Sequence, residues 1–349
     1  MAALNQTARL HVRAPKVGEG AQIASLWREL WEAHESWGGY PGSRDDRVYA
    51  HLGARLDDDA RVRAGNPVLG RHIHLIADVG GGPCAQVEGW LDQHGGLVAT
   101  PITCEVRSLI VSSRERRAGV GRILLKALAA VARALAGRSP CVLAAEVLEP
   151  NPAHAFYTRL GYVPVAWCAR LPALSDPVHP LSSITARLAT PEDATAIACL
   201  EAILASRRRD AGDMRFDGPR AIDPQLIAAI VANLESDAGE PARDPETLVA
   251  VDGAGAVRGM ASFTAHGLES PFLPVRRALV GRFALDPDWA ADPLVAELVG
   301  LGRRLAVLQR AQYVELTDLS APGTDLYDAI LATGAAAWSR IVTQGPLRV

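Results

Sequence analysis

The chain repeats itself once. Near its start stands Arg13–Trp27, RAPKVGEGAQIASLW, and near its middle stands Arg187–Leu200, RLATPEDATAIACL. Each reads as a short strand, a polar turn and an apolar helix. Further on, His74–Leu91 corresponds to Leu248–Phe263, two strands around a glycine-rich turn in each case. Ser108–Ser113 then corresponds to Arg282–Pro287. The pairs lie about 170 to 174 positions apart, and a near-constant offset is the mark of one fold built twice.

Between the copies lies LPALSDPVHPLSS, Leu171–Ser183, rich in proline and serine and without helical or strand periodicity, which predicts a linker. The expected division is a domain over residues 1–170, a linker over 171–183 and a second domain over 184–349. Within each copy the order is strand, helices, strand hairpin, strand, long helix, strand, helix, strand. That mixture predicts an α/β (α+β) architecture, with a mixed, mostly antiparallel sheet flanked by helices in each domain.

Composition narrows the function classes. A net charge of −3 opposes a general binder of nucleic acid or of membrane surfaces, which needs a basic excess. The five cysteines form no CxxC pair and no Cys/His cluster of metal-site spacing, so no metal is expected. The opening MAALNQTARLHVR lacks a long apolar run, and Ile123–Leu135 is broken by Lys126 and Arg133. A soluble, cytoplasmic protein is the expectation.

The segment Glu105–Leu135, EVRSLIVSSRERRAGVGRILLKALAAVARAL, carries the most chemistry. Val106, Leu109, Ile110 and Val111 favour a strand, and Ile123, Leu124, Leu128, Val131 and Leu135 have helical spacing. Between them lie Arg116, Arg117, Ala118, Gly119, Val120 and Gly121, followed by Arg122. A helix start presents unpaired N–H groups and the positive end of its dipole. Glycines let the backbone approach a bulky anion, and Arg114, Arg116, Arg117 and Arg122 add cationic donors. The pattern describes a pyrophosphate cradle. It is neither a Walker loop nor a dinucleotide fingerprint, because GK[ST] and GxGxxG are both absent.

About thirty residues on, Cys141–Val165 reads as a buried strand, a turn at Glu149–Pro152, a short helix through Phe156 and Tyr157 ending at Gly161, and a further strand. With Leu109-x-Val111 and Arg116-x-x-Gly119-x-Gly121 ahead of it, this order resembles the two signatures of the GNAT superfamily of N-acetyltransferases. Asn151, Phe156, Tyr157, Gly161 and Tyr162 match the second signature in order. Ala153 and Ala155 flank the place of its usual alanine, which is His154 here.

The resemblance implies two tandem GNAT-like domains and acetyl-CoA as co-substrate. It implies that the backbone of Leu109, Ile110 and Val111 holds the pantetheine arm, with the Val111 N–H facing the thioester carbonyl. The diphosphate would rest on residues 116–122, and Asn151 and Phe156 would flank the arm. Tyr157 takes the place of the acid that protonates the thiolate, and Glu105 that of the base. The bland readings are a packed aromatic at Tyr157, a solvated carboxylate at Glu105 and an ordinary Asn-Pro turn at Asn151.

In this fold the first helices and their connecting loop select the acceptor. Trp37, Tyr40, Asp45 and Asp46 are the candidates there, since aromatic faces and carboxylates both attract a cationic amine. Trp27 and Trp31, four apart, read instead as a helix core stripe.

The second copy has no Arg-x-x-Gly-x-Gly. By the offset, Leu279 stands for Glu105 and Ile330 for Tyr157, so the copy is degenerate. It is expected to complete the acceptor cleft, brace the first domain or mediate assembly, for example as a homodimer. Arg207–Asp210, RRRD, reads as a solvated face. The sequence thus predicts an acetyltransferase for a small-molecule primary amine, aminoglycoside-like or another cationic metabolite. A protein or peptide acetyltransferase and a non-catalytic CoA-binding sensor or scaffold are the alternatives.

Overall fold

The computed structural model describes residues 10–38, 44–93, 101–174, 183–216, 222, 224–236, 246–266 and 276–347. The first half runs β1 (His11–Arg13), α1 (Gly20–Ser36), α2 (Asp46–Arg63), β2 (Val68–Leu69), β3 (His72–Asp78), β4 (Pro83–Gln93), β5 (Ile102–Val106), β6 (Ile110–Val111), α3 (Val120–Ala136), β7 (Cys141–Leu148), α4 (Ala153–Arg159) and β8 (Val163–Pro172). The second half repeats this order except that, among the described residues, β2 and β6 have no separate counterparts. It runs β9 (Thr185–Leu188), a short turn of 3-10 helix leading into α5 (Ala194–Asp210), α6 (Pro224–Ser236), β10 (Glu246–Val251), β11 (Val257–His266), β12 (Arg277–Leu285), α7 (Ala291–Leu308), β13 (Tyr313–Leu319), α8 (Asp325–Ala332) and β14 (Ala336–Gln344).

The strands form one continuous sheet in the order β1-β3-β4-β5-β7-β14-β8-β13-β12-β11-β10-β9, with β2 on β3 and β6 on β4. Pairing is antiparallel except for β5 with β7 and β12 with β13, one parallel pair in each half. The halves exchange their last strands. β14, from the end of the chain, lies against β7 of the first half, while β8 lies against β13 of the second. The two exchanged strands pair with each other and close the seam.

Each half buries both faces of its sheet. Under α3, Leu124, Leu125, Leu128, Ala132 and Ala136 pack on Ile73, Val87, Cys104 and Leu143. Full burial of one such leucine contributes about 1.5–3 kcal/mol. On the opposite face α1 and α2 close over Ile76 through Ile23, Tyr49, Leu52 and Leu56. Trp27 and Trp31 stack at 6.3 Å and pack on that cluster, as their spacing implies. In the second half α7 and α8 cover one face and α5 and α6 the other.

Two expectations need correction. Leu171 and Pro172, read as the start of a linker, are the last residues of β8, paired with Val314 and Tyr313. A proline is tolerated at a strand end, and the pairing supplies backbone partners that the local composition did not reveal. Residues 175–182 of the same segment lie outside the described residues. Arg208, read as part of a solvated face, is 3 % exposed. Its guanidinium donates to the carbonyls of Val165 and Leu319 at 3.2 Å each and to Asp318 at 3.1 Å. Arg215 joins Asp213 and Asp318 at 2.8 Å each beside it. A charge is held so deeply only when paired and hydrogen-bonded, and Val165, Asp318 and Leu319 come from distant strands.

Candidate functional site

The site begins where β5 gives way to β6. β5 runs parallel to β7 from Ile102 opposite Cys141 to Val106 opposite Ala145. Beyond Val106 the chain leaves β7, and β6 pairs with β4 alone. Gly89 faces Val106 whereas Gln86 faces Ile110, so an extra residue sits in the strand as a bulge. A gap therefore opens between β6 and the end of β7.

Backbone direction along β6 follows from its bonds to β4. The Ser112 N–H donates to Cys84 O at 2.9 Å, and Ser108 O accepts from Glu88 N at 3.3 Å. Successive backbone groups of a strand point to opposite edges. The amides of Leu109 and Val111 therefore face the gap, and that of Ile110 faces β4. At that edge the Val111 carbonyl accepts from Arg116 Nε at 3.0 Å.

At the upper end of the gap, residues 113–119 turn into α3. Arg117 has φ 69° and Gly119 has φ 83°, both in the left-handed region. Only glycine takes that region without strain, and here it lets the chain enter the helix directly. The first helical residues Val120, Gly121 and Arg122 have no acceptor one turn earlier, so their N–H groups point out of the helix end. Arg114, Arg116, Arg117 and Arg122 are exposed around this end, as is Ala118. Arg116 also approaches Glu29 of α1 at 3.5 Å, and the Ser113 N–H donates to the same carboxylate at 3.0 Å. Glu29 thus ties the loop to α1; its position in the helix repeat carried no sign of this.

α4 follows β7 and brings the second signature to the same place. Asn151 Oδ1 accepts from Ala153 N at 2.9 Å and shapes the start of α4. The Phe156 ring abuts Gly121. Tyr157 is buried, edge-on to Phe156 at 5.3 Å and to Tyr162 at 5.0 Å. Burial pushes its phenol far above the ordinary range, so it holds its proton at neutral pH.

Glu105 stands on β5 on the face opposite α3, paired with Trp90 and Ala144. Its carboxylate accepts from Arg107 Nη2 at 3.0 Å. Tyr157 packs on the α3 face, so the two lie on opposite sides of the sheet with the gap beside them.

The acceptor candidates are more dispersed. Trp37 ends α1 and packs on Leu148, Cys168 and Trp338. Asp45 caps α2, accepting from Arg47 N at 3.0 Å and from the Arg47 side chain. Asp46 is paired with Arg28. Both carboxylates already have cationic partners, which the sequence did not reveal. Tyr40 lies outside the described residues. Among the described residues, no helix is long and apolar enough to cross a membrane.

In a sheet of this order, one parallel pair splays beside a glycine-rich helix start. Residues 22–162 match the model of the Acetyltransferase (GNAT) family. The whole chain is similar in fold to a GCN5-related N-acetyltransferase from Sphaerobacter thermophilus (16% identity, 97% of this chain and 96% of that one, TM-score 0.56). It is also similar to a tandem GNAT protein from the clavulanic acid biosynthesis pathway (17% identity, 98% and 100%, TM-score 0.50). Both likenesses extend over the two halves, so the fold is a tandem GNAT fold. No curated protein matches the chain in sequence.

Proposed function

We propose that the chain is an acetyl-CoA-dependent N-acetyltransferase that acts on a cationic small-molecule primary amine by direct transfer, in the N-terminal domain. One observation carries this reading: the gap between β6 and β7 ends under the open amides of the α3 start, ringed by exposed arginines. That is the shape and charge a pantetheine diphosphate requires. The residues fit the group, since space is open above Gly119, where a β-carbon would meet nothing within 4 Å.

In this reading residues 116–122 hold the diphosphate and the gap-facing backbone of Leu109 and Val111 lines the arm, while the Ile110 backbone is turned to β4. Asn151, with Oδ1 committed to α4, presents its Nδ2, and Phe156 closes the wall. When bound, acetyl-CoA supplies an activated acetyl thioester. Glu105 takes a proton from the acceptor ammonium, so that the amine has a lone pair to attack with. The Val111 N–H donates a hydrogen bond where negative charge develops on the carbonyl oxygen. Tyr157 keeps a proton for the departing thiolate. In this reading Trp37, Asp45 and Asp46 serve the acceptor side. The division at residues 1–170 and 184–349 assigns the chemistry to the first domain and leaves the second, lacking the loop, as support.

Thiol release from acetyl-CoA, measured over a panel of amines and peptides, tests this. Turnover with small cationic amines and not with peptides is the expected result. Turnover of peptides alone removes the small-molecule assignment, and coenzyme binding without any turnover removes the catalytic one.

A further inference from the structure

The second half reaches the first through β14, and this strand meets the site. β7 pairs with β5 only as far as Ala145, and Glu146 is the next residue along it. Glu105 is opposite Ala144, and Glu146 lies two residues beyond, so the two carboxylates share a face. It is the acceptor face. The α3 side takes Leu143, Ala145 and Val147 into its core instead.

Glu146 is exposed, yet it is held. Ser339 of β14, fully buried, donates its hydroxyl to Glu146 Oε1 at 2.5 Å. Around it Leu148, Cys168, Trp338, Ile341 and Trp37 make an apolar floor. Arg170 packs over Trp338 at 3.5 Å and over Tyr313 at 4.6 Å, and donates to Gly38 O at the end of α1 at 3.1 Å. Among the described residues Glu146 has no arginine or lysine paired with it, whereas Asp45, Asp46 and Glu105 each have one.

We propose that Glu146 anchors a second ammonium group of the acceptor, and that Ser339 of the exchanged strand positions it. This rests on the acetyltransferase reading above and narrows it: the acceptor is a di- or polycationic amine. One amino group loses its proton to Glu105 and is acetylated. Another stays charged against Glu146. The degenerate half then supplies part of the acceptor site, which accounts for its exchange of a strand without a phosphate loop of its own.

The test uses the full-length protein, with spermidine as a polycationic probe and hexylamine as a monocation. In Glu146→Gln the ratio of the spermidine KM to the hexylamine KM rises about tenfold, while calorimetry finds acetyl-CoA affinity unchanged. Ser339→Ala raises the same ratio about threefold and serves alone if the first variant does not fold. An unchanged ratio in a wild type that acetylates spermidine overturns the role of Glu146 and leaves the enzymatic reading standing. A parallel loss of acetyl-CoA affinity also overturns it, by marking the residue as structural. Wild-type protein that acetylates neither amine overturns both.

Discussion

A β-carbon placed on Gly121 would stand 3.3 Å from Cζ of Phe156, tighter than ordinary packing allows. The start of α3 and the start of α4 are therefore in contact through a residue that must stay small. Gly121→Val is expected to push Phe156 aside and distort the helix end. Acetyl-CoA affinity, followed by calorimetry, should fall at least tenfold. At Gly119 the cause differs: φ 83° strains any other side chain by about 1 kcal/mol although the space is open. Gly119→Ala should lower affinity by a smaller factor.

Tyr157 is buried and keeps its proton well beyond neutral pH. A general acid contributes about 10²- to 10⁴-fold to a rate. Tyr157→Phe, which keeps the ring and its packing, should lower kcat about 100-fold with little change in acetyl-CoA affinity. Unaltered turnover would leave the residue as a packed aromatic only.

His72 and His74 stand side by side on β3, and burial lowers both to about 4. Both are neutral in the folded protein at pH 6, whereas in the unfolded chain they titrate near 6.5. Between those values the unfolded state binds more protons, so stability is present above about pH 6.5 and is lost as pH falls toward 4. Urea midpoints measured from pH 7 to pH 4.5 should fall steadily. For His74→Gln, which still accepts or donates to Gln86, the fall should be shallower.

The buried group of Arg208, Arg215, Asp213 and Asp318 holds α5 to the seam between β8 and β13. Removing one partner strands a buried charge, at a cost of about 3–5 kcal/mol. Asp213→Asn should therefore lower the urea midpoint sharply. Arg207→Gln, one residue away on the exposed side, should change it little.

What was legible in the sequence was what neighbouring residues decide among themselves. The strand, loop and helix around Gly119 and Gly121 follow from local spacing, and so does the turn from β7 into Tyr157. The duplication could be seen because each copy preserved its own order of elements. Asp45 and Asp46 show the limit. Two carboxylates in a polar stretch look like a binding site, and only the helix start at Asp46 and the approach of Arg28 show them already engaged.

The sequence by itself determined the elements, their order in each half, and the glycine-rich start of α3, because those depend on backbone preferences and spacings within a few turns. Only the tertiary structure decided that β14 would lie between β7 and β8, and so bring Ser339 to Glu146, 193 positions away in the chain. The cost of closing a loop grows only with the logarithm of its length. A distant strand therefore competes on nearly equal terms with a near one, and the packing of the whole sheet selects between them.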